Sequence, residues 1–343
     1  MISTRWKRYS PDSYPGDLWL DWDRLNRAYN KGHPMIDSRF VSRLVEFFPA
    51  DIEVLVATQE NEPVFMLLVE LGGKVVAPLY RPSQMQLALA VLPDRSTLPF
   101  TQLFSCMPLS LMRLDLYSLD PLFHSALIEQ KQALLEDGAT NMVVDTRGDF
   151  SDYWSSRPKN LRKNVSRYTN RIKRQFDGYR LLVSTDEESM AAAVERYAEI
   201  ESRGWKGKAG TALVPGNVQE QFYRSVMQAY ANQGQAYVFE LYLGDSLAAS
   251  RLCIANADQL IILKTTYDET FSDYATGRIL LYETIRYVFD ERVSNRVDFY
   301  TNASREQLEW ATSSRTMYNL SMYRPAAQPL HKSLRLAKKL SGA

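Results

Sequence analysis

The chain has 343 residues and a nearly balanced charge, with 41 lysines and arginines against 40 aspartates and glutamates. The formal net charge of +1 gives no global field that would attract nucleic acid or anionic lipid. Three scattered histidines and two cysteines argue against a zinc site and against a histidine-based nucleophilic enzyme. A hydrophobic content of 45% is typical of a folded protein, and the length suits two domains.

The first residues contain no apolar stretch of the kind found in signal peptides. No uncharged apolar run reaches the roughly 18 residues that cross a bilayer. Cys106 and Cys253 each stand in an apolar context, which favours free thiols in a reducing compartment. We therefore expect a cytoplasmic protein that binds no metal.

The first half is predicted to begin its sheet with three consecutive strands. Apolar residues dominate 53–58, 64–71 and 74–80, and polar or glycine-rich turns separate these segments. A further strand is predicted to begin at Arg113.

The second half shows the same order of elements. Strands are predicted at 236–243, 247–254 and 259–266, then a helix at 278–292 and strands at 296–301 and 316–323. Three antiparallel strands, a helix and a returning strand form a mixed α/β layer.

Two features recur at a constant distance along the chain. Val64 corresponds to Leu247, and Arg113–Ser118 (RLDLYS) corresponds to Arg296–Thr301 (RVDFYT), in each case 183 residues later. The constant offset predicts an internal duplication. The predicted domains are 1–148, 149–327 and a basic C-terminal helix at 328–343.

A basic segment lies between the halves. Residues 154–180 hold nine basic side chains and one acidic side chain, Asp177. Apolar residues recur there at helical spacing: Leu161, Val165, Tyr168, Ile172 and Phe176. The pattern predicts one amphipathic helix over 156–176, with Ser156 as its cap and a basic face turned outward.

Several motifs of the second half occur in one family in the same order. The string from Glu201 to Leu213 (ESRGWKGKAGTAL) resembles the ExxxWKxxxGTAL element of GNAT-like acyltransferases linked to bacterial cellulose and exopolysaccharide loci, the CelD/BcsL type. Residues 244–249, 264–269 and 275–281 resemble that family's hairpin, its "K-x-x-Y-D-e" strand end and its "sPG-x-L-L" turn. The resemblance covers roughly residues 150–325 and extends to the Fem peptidyltransferases, which share the double-GNAT plan.

The resemblance implies an α/β fold of tandem GNAT-like (acyl-CoA N-acyltransferase) domains, each a mixed, mostly antiparallel sheet flanked by helices. It implies a degenerate N-terminal domain and a working site in the second half, with acyl-CoA, expected to be acetyl-CoA, as cosubstrate. Two departures stand out. Thr276 replaces the family's proline, and Glu306 and Gln307 replace a tyrosine and a lysine before Trp310, so a role for that lysine has no basis here.

The cofactor site is predicted where the helix after the meander begins. The backbone N–H groups and the dipole of a helix that starts at Gly277 favour a phosphate, and Arg278 adds positive charge. Thr276 and Lys264 complete the predicted cofactor-binding set, and the strand 259–266 is expected to pair with the pantetheine arm. The equivalent loop of the first half, 93–96, lacks a glycine, so we expect no cofactor there.

Acyl transfer to an amine or a hydroxyl needs a proton acceptor but no covalent enzyme intermediate. Glu201 and Asp268 are the candidate bases, and for each the alternative is a structural carboxylate. Tyr300 is the candidate proton donor to the departing thiolate. The predicted acceptor-binding residues are Trp205, Lys206, Lys208, Tyr267 and Trp310, although aromatic residues at such positions also serve as core.

Three functions stay open from the sequence. The first is an acyltransferase that acts on a small-molecule or glycan-precursor acceptor. The second is an aminoacyl-tRNA-dependent peptidyltransferase of the Fem type, and the third is a non-catalytic scaffold in a polysaccharide-synthesis complex. The basic helix correspondingly has three readings: a solvated face, a site for CoA phosphates or an anionic acceptor, and a tRNA site. We expect no nucleic-acid partner, with tRNA as the alternative, and peripheral contact with a membrane or with such a complex.

Overall fold

The computed structural model describes residues 4–72, 75–93, 100–129, 134–204 and 212–327. The predicted C-terminal helix at 328–343 and most of the 93–96 loop lie outside the described residues. The chain divides into two compact units that are discontinuous in sequence. Unit 1 comprises 1–38, 48–139 and 316–343, and unit 2 comprises 39–47 and 140–315.

Unit 1 contains an antiparallel sheet in the order β1-β2-β3-β5 and a second set of strands in the order β4-β6-β13. Their bounds are β1 Thr4–Tyr9, β2 Ile52–Gln59, β3 Glu62–Glu70, β4 Val76–Pro78, β5 Ala90–Val91, β6 Arg113–Leu119 and β13 Ser313–Tyr323. The helices are α1 Leu18–Asn30 and α3 Pro121–Ile128. Asp17 begins α1 by accepting hydrogen bonds from the N–H groups of Trp19 and Leu20, which are otherwise unpaired at a helix start.

Unit 2 contains strands in the order β7-β12-β11-β10-β9-β8. Their bounds are β7 Leu134–Asp145, β8 Arg180–Ser184, β9 Ala236–Leu243, β10 Ser246–Ala255, β11 Leu260–Tyr267 and β12 Arg296–Asp298. The helices are α2 Ser38–Phe47, α4 Phe150–Ser155, α5 Lys159–Phe176, α6 Glu187–Arg203, α7 Val218–Ala231, α8 Thr276–Asp290 and α9 Arg305–Leu308. The bounds of β9, β10 and β11 lie within about one residue of those predicted.

Helices cover both faces of the unit 2 sheet. Successive side chains of a strand point to opposite faces. On β9, Phe239 packs edge-on against Tyr287 of α8, whereas its neighbour Glu240 forms an ion pair with Arg196 of α6 at 2.7 Å. The helices α6 and α8 therefore lie on opposite faces, and the predicted mixed, mostly antiparallel sheets flanked by helices are confirmed.

The two units repeat one arrangement of strands. Ala77 of β4 pairs in parallel with Leu114 of β6, and Leu260 of β11 pairs in parallel with Val297 of β12. Both members of the second pair lie 183 residues after those of the first. An antiparallel strand follows on the far side in each unit, β13 beside β6 and β7 beside β12. The internal repeat predicted from the sequence is thus present in the strand pairing.

Some local predictions were wrong. Ser156 does not cap the basic helix, because α4 ends at Ser155 and α5 begins after Pro158 with no side-chain cap. Proline disfavours a helical residue before it, which separates the two helices. In the segment predicted as a strand at 74–80, the short β4 pairs with β6, and pairing with β3 is limited to an isolated antiparallel bridge between Leu79 and Val69.

The compact units also differ from the predicted domain bounds of 1–148 and 149–327. Residues 143–145 of β7 pair with β12 inside unit 2, and residues 318–323 of β13 pair with β6 inside unit 1. Each unit therefore receives one strand from outside the predicted stretch, a kind of exchange that hydrophobic periodicity does not reveal.

Candidate functional site

The start of α8 is the first feature of the candidate site. The residue before the helix, Ala275, has the left-handed conformation (φ 50°), and no side chain caps the helix. The first N–H groups of a helix have no partner within it and carry its positive dipole end, so an uncapped start can bind an anion. The structure places the predicted Thr276, Gly277 and Arg278 in this first turn.

Backbone and side-chain contacts join this turn to the end of β11. Thr276 Oγ1 donates to the carbonyl oxygen of Ala248 at 3.2 Å, and the N–H of Asp268 donates to the same oxygen at 2.9 Å. A Cβ atom at Gly277 would lie 3.6 Å from Cδ1 of Tyr267, which is ordinary contact. The structure therefore brings Tyr267, Asp268, Thr276 and Gly277 together, and the packing itself does not require the glycine.

Arg278, predicted to bind phosphate, already has an anionic partner. Its guanidinium forms an ion pair with the carboxylate of Glu306, one of the two residues that depart from the family motif. Both side chains are exposed, by 41% and 74%. An anion at the start of α8 would therefore share Arg278 with Glu306.

The strands β11 and β12 separate soon after they begin to pair. Their parallel pairing consists of Leu260 with Val297 and Ile261 with Asp298. Within the described residues, β12 offers no partner to β11 beyond Ile261, and residues 262–265 are half-buried. We call this stretch of β11, from which β12 diverges, its open edge, although Lys264 and Thr265 within it have other contacts. An extended amide-containing molecule can pair with a strand on such a side, as an added strand would. The open edge leads directly to Tyr267 and the start of α8.

A polar network surrounds the end of β12. Tyr300 is 5% exposed and has a positive φ of 41°, which is strained for an aromatic residue. Its hydroxyl accepts a hydrogen bond from Arg315 at 3.1 Å, and Arg315 also pairs with the buried Asp298 at 2.8 Å. Asn141 donates to the other oxygen of Asp298 at 2.5 Å. The network fixes the Tyr300 hydroxyl two residues after β12, the strand that separates from β11.

Glu201 lies inside the unit rather than at its surface. Its Oε1 accepts from the Tyr197 hydroxyl at 2.8 Å, and its Oε2 accepts from the N–H of Leu213 at 2.7 Å and from Lys264 Nζ at 3.1 Å. Burial and the Glu201 charge raise the pKa of Tyr197 well above its ordinary value, so this phenol stays a donor. Lys264, predicted to bind cofactor, is held by this carboxylate.

We expect Glu201→Gln to lower the free energy of unfolding by about 3 kcal/mol, because it leaves the largely buried Lys264 without its counter-charge. Urea denaturation measures the change. Glu199→Gln, which removes an exposed carboxylate paired with Arg203, is the control and should change stability by less than about 0.5 kcal/mol. An equally small change in the free energy of unfolding in both variants would contradict a structural role for Glu201.

The other predicted residues are placed as follows. The Asp268 carboxylate accepts from the N–H and hydroxyl of Thr270 at 2.9 and 2.6 Å and so begins the 3₁₀ turn Glu269–Tyr274. Trp310 is 4% exposed and packs against Trp154 in the core. Trp205, Lys206 and Lys208 lie outside the described residues.

The helix α5 presents a basic groove on the face opposite its apolar stripe. The apolar stripe packs into the unit 2 core as predicted, and α5 carries seven basic residues and no acid. A groove of about 670 Å³ is lined by Trp154, Lys159, Arg162, Lys163, Ser166, Arg167, Asn170 and Arg174. Among the described residues, only Arg171 of α5 has an acidic partner, Asp273 at 3.5 Å.

Two contacts locate α5 and its groove. Arg171 also donates to the backbone oxygen of Asp273, in the turn that leads into α8, at 3.0 Å. At the other end, Trp154 packs edge-on against Tyr282 of α8, with the ring centroids 4.8 Å apart. The helix α5 therefore contacts the turn before α8 through Arg171, which does not line the groove, and the groove approaches α8 at Trp154.

The described residues hold neither a metal-ligand cluster nor a membrane-spanning helix. Within the described ranges, no group of three or more histidine, cysteine, aspartate or glutamate side chains could hold a metal ion. No helix in that part of the chain is long and apolar enough to cross a membrane. Sequence reasoning missed Arg251, Asp298 and Arg315, because charged residues on strands give no periodic signal of their own.

Comparison with known proteins identifies the domain that holds this site. Residues 159–308 match the model of the family described as acetyltransferase (GNAT) domain. Among curated proteins, no match was found.

Several solved structures share the fold. The structure of FemX has 10% identity and a TM-score of 0.58, covering 92% of this chain and 98% of its own. A conserved protein of unknown function from Bacteroides thetaiotaomicron has 10% identity and a TM-score of 0.56, covering 94% and 100%. The C-terminal domain of a putative lysylphosphatidylglycerol synthetase from Agrobacterium fabrum has 10% identity and a TM-score of 0.53, covering 86% and 90%. Residues 159–308, which hold α5, α8 and the open edge of β11, thus resemble an acetyltransferase (GNAT) domain and share its fold.

Proposed function

We propose that the protein is an acyl-CoA-dependent acyltransferase. It transfers an acyl group, expected to be acetyl, from acyl-CoA to an amine or hydroxyl of an acceptor by direct attack in a ternary complex. The observation that carries this proposal is the open edge of β11, which leads to the uncapped start of α8. CoA carries phosphate groups and then an extended amide-containing arm before its thioester. The arm matches the open edge of β11, and a phosphate matches the start of α8.

The residues then have distinct roles. The first turn of α8 binds the pyrophosphate through Thr276, Gly277 and Arg278, and the groove on α5 binds the remaining negative charge of the cosubstrate. The acceptor attacks the thioester carbonyl, the C–S bond breaks, the acceptor nitrogen or oxygen releases its proton to water, and the thiolate takes up a proton that its donor regains from water. Tyr300, which Arg315 orients at the end of β12, is our candidate donor of that proton.

We do not assign Glu201 or Asp268, the two predicted bases, as the general base. Glu201 is committed to three hydrogen bonds in the interior, and Asp268 caps a turn. We therefore assign Glu201 a positioning role. It holds the side chain of Lys264 and the backbone N–H of Leu213, which follows the ExxxWK motif. The acceptor class, a polysaccharide precursor or another envelope-linked metabolite, rests on the motif resemblance to the CelD/BcsL type, as does the cytoplasmic location.

Calorimetric titration of the purified chain with acetyl-CoA, longer acyl-CoAs and charged tRNA tests the proposal. We expect one acyl-CoA bound per chain and no tRNA complex. The basic face of α5 favours one second candidate, a Fem-like aminoacyl-tRNA-dependent peptidyltransferase. Binding of charged tRNA without binding of any acyl-CoA would replace our proposal with that candidate. Binding of neither would favour a non-catalytic scaffold.

Glu306→Gln is expected to tighten acetyl-CoA binding about threefold, because the Glu306 carboxylate would no longer compete with a phosphate for Arg278. The expected change is modest because the ion pair is exposed. The dissociation constant from calorimetry measures it. The control is Glu309→Gln, which removes a nearby charge that has no ion pair with Arg278. Weaker binding by the Glu306 variant would contradict the competition between the two anions.

A further inference from the structure

Within the described residues, Arg251, near the middle of β10, is a buried cation without an acidic partner. The residue is 4% exposed, and its Nε donates to Oγ1 of Thr265 on β11 at 3.0 Å. Its Nη1 is buried and has no hydrogen-bond partner among the described residues. No carboxylate of that part of the chain forms an ion pair with it. An unpaired charge in the interior lowers the stability of the fold, so a compensating anion is expected beside it.

Three other cations of the same unit that reach into buried surroundings form ion pairs. Arg196 has Glu240 at 2.7 Å, Arg315 has Asp298 at 2.8 Å, and Lys264 has Glu201 at 3.1 Å. Each of these three carboxylates is fully buried. Arg251 differs from these three cations, because no carboxylate of the described residues forms an ion pair with it.

The guanidinium also stays charged under ordinary conditions. Burial lowers the pKa of Arg251 to about 10, which leaves the group protonated at neutral pH. A permanent positive charge is therefore held in the interior, where the low dielectric strengthens its attraction for an anion.

Arg251 lies close to the open edge of β11. Thr265, its hydrogen-bond partner, lies on the stretch of β11 that has no partner from β12 within the described residues. Neighbouring strands are about 4.8 Å apart, so the guanidinium at Thr265 lies about one strand width from that edge. The same edge is where the proposed acyl-CoA arm would lie.

We propose that Arg251 binds the carboxylate of a substrate, so that either the acyl group or the acceptor is anionic. This inference rests on the proposed acyl transfer and narrows its substrate class. With Nε engaged by Thr265, the remaining nitrogens offer a short edge that suits a small planar carboxylate. Replacement of Arg251 by methionine removes the charge but keeps most of the volume.

The first arm of the test compares succinyl-CoA with butyryl-CoA, which have acyl chains of equal length and differ in the terminal carboxylate. The second arm compares free L-amino acids with their C-terminal amides, in the presence of CoA, by calorimetry and thermal shift. In one of the two arms, wild-type protein is expected to prefer the carboxylate at least about tenfold. Arg251→Met should abolish that preference, and Arg251→Lys should keep part of it.

Arg286→Met, which removes a half-exposed arginine of α8, is the control and should keep the preference. Arg251→Met should bind butyryl-CoA as wild type does and should unfold at a higher temperature, because it loses an unpaired buried charge. No carboxylate preference in either arm of wild type overturns the inference even if the variant fails to fold. Loss of butyryl-CoA binding by folded Arg251→Met also overturns it. If no acyl-CoA binds wild type, the proposed function fails, while the amino-acid arm still tests Arg251.

Discussion

Acetyl-CoA is expected to bind the Gly277→Asp variant at least about 100-fold more weakly than wild type, because a carboxylate would occupy the phosphate position at the start of α8. The fold should survive. An acidic residue in the first turn stabilises a helix, and the space beside Gly277 admits a side chain whose Cβ would meet only the Tyr267 ring at 3.6 Å. Calorimetry measures the affinity, and circular dichroism checks the fold.

Gly277→Ala is the matched control. It adds the same Cβ atom without the charge, and the structure predicts ordinary contact there. We expect its affinity for acetyl-CoA to fall by less than about fivefold, since a methyl group can only hinder close approach of the phosphate. Equal affinities in wild type and folded Gly277→Asp would remove the start of α8 from the site.

The second large loss of acetyl-CoA affinity is expected when the positive charges of the groove on α5 are removed. Its five cationic lining residues are Lys159, Arg162, Lys163, Arg167 and Arg174. Their joint replacement by glutamine should weaken acetyl-CoA binding by about 100-fold, because the phosphates would lose charge-assisted hydrogen bonds. One or two of the five single variants should account for most of the loss, and binding should depend only shallowly on salt.

Lys173→Gln gives a control on the same helix, because Lys173 is exposed but does not line the groove. It should change neither affinity nor stability measurably. A solvated basic face would instead leave even the fivefold variant with wild-type affinity and a stability within about 0.5 kcal/mol of wild type. A submicromolar complex with tRNA that weakens steeply with salt would favour the peptidyltransferase candidate.

Local patterns in the sequence determined much of the second half. The hairpin of β9 and β10 follows from apolar segments separated by Gly244 and Asp245, and α5 follows from an apolar stripe with helical spacing. The internal repeat was visible as one offset between two motifs, and the parallel pairs Ala77–Leu114 and Leu260–Val297 keep that offset. These features depend on neighbours in sequence or on a copy of the same pattern, so periodicity and spacing predict them.

The sequence also located the start of α8 within about two residues, because a glycine after a strand marks a helix entry. It could not show that Arg278 meets Glu306, since 28 residues separate the two. Whether a predicted phosphate ligand is already paired depends on where α9 lies in the folded chain.

Only the tertiary structure decided the roles of the charged interior residues. Glu201 was a candidate base in sequence, and the fold buries it against Tyr197, Leu213 and Lys264. Arg251 gave no signal among the apolar residues of β10, yet the fold leaves its Nη1 buried and unpaired within the described residues. Burial and pairing depend on which distant segments meet, and residue type alone does not encode that. The exchange of 140–145 and 316–323 between the predicted halves has the same cause, because strand pairing depends on which edges meet across the fold.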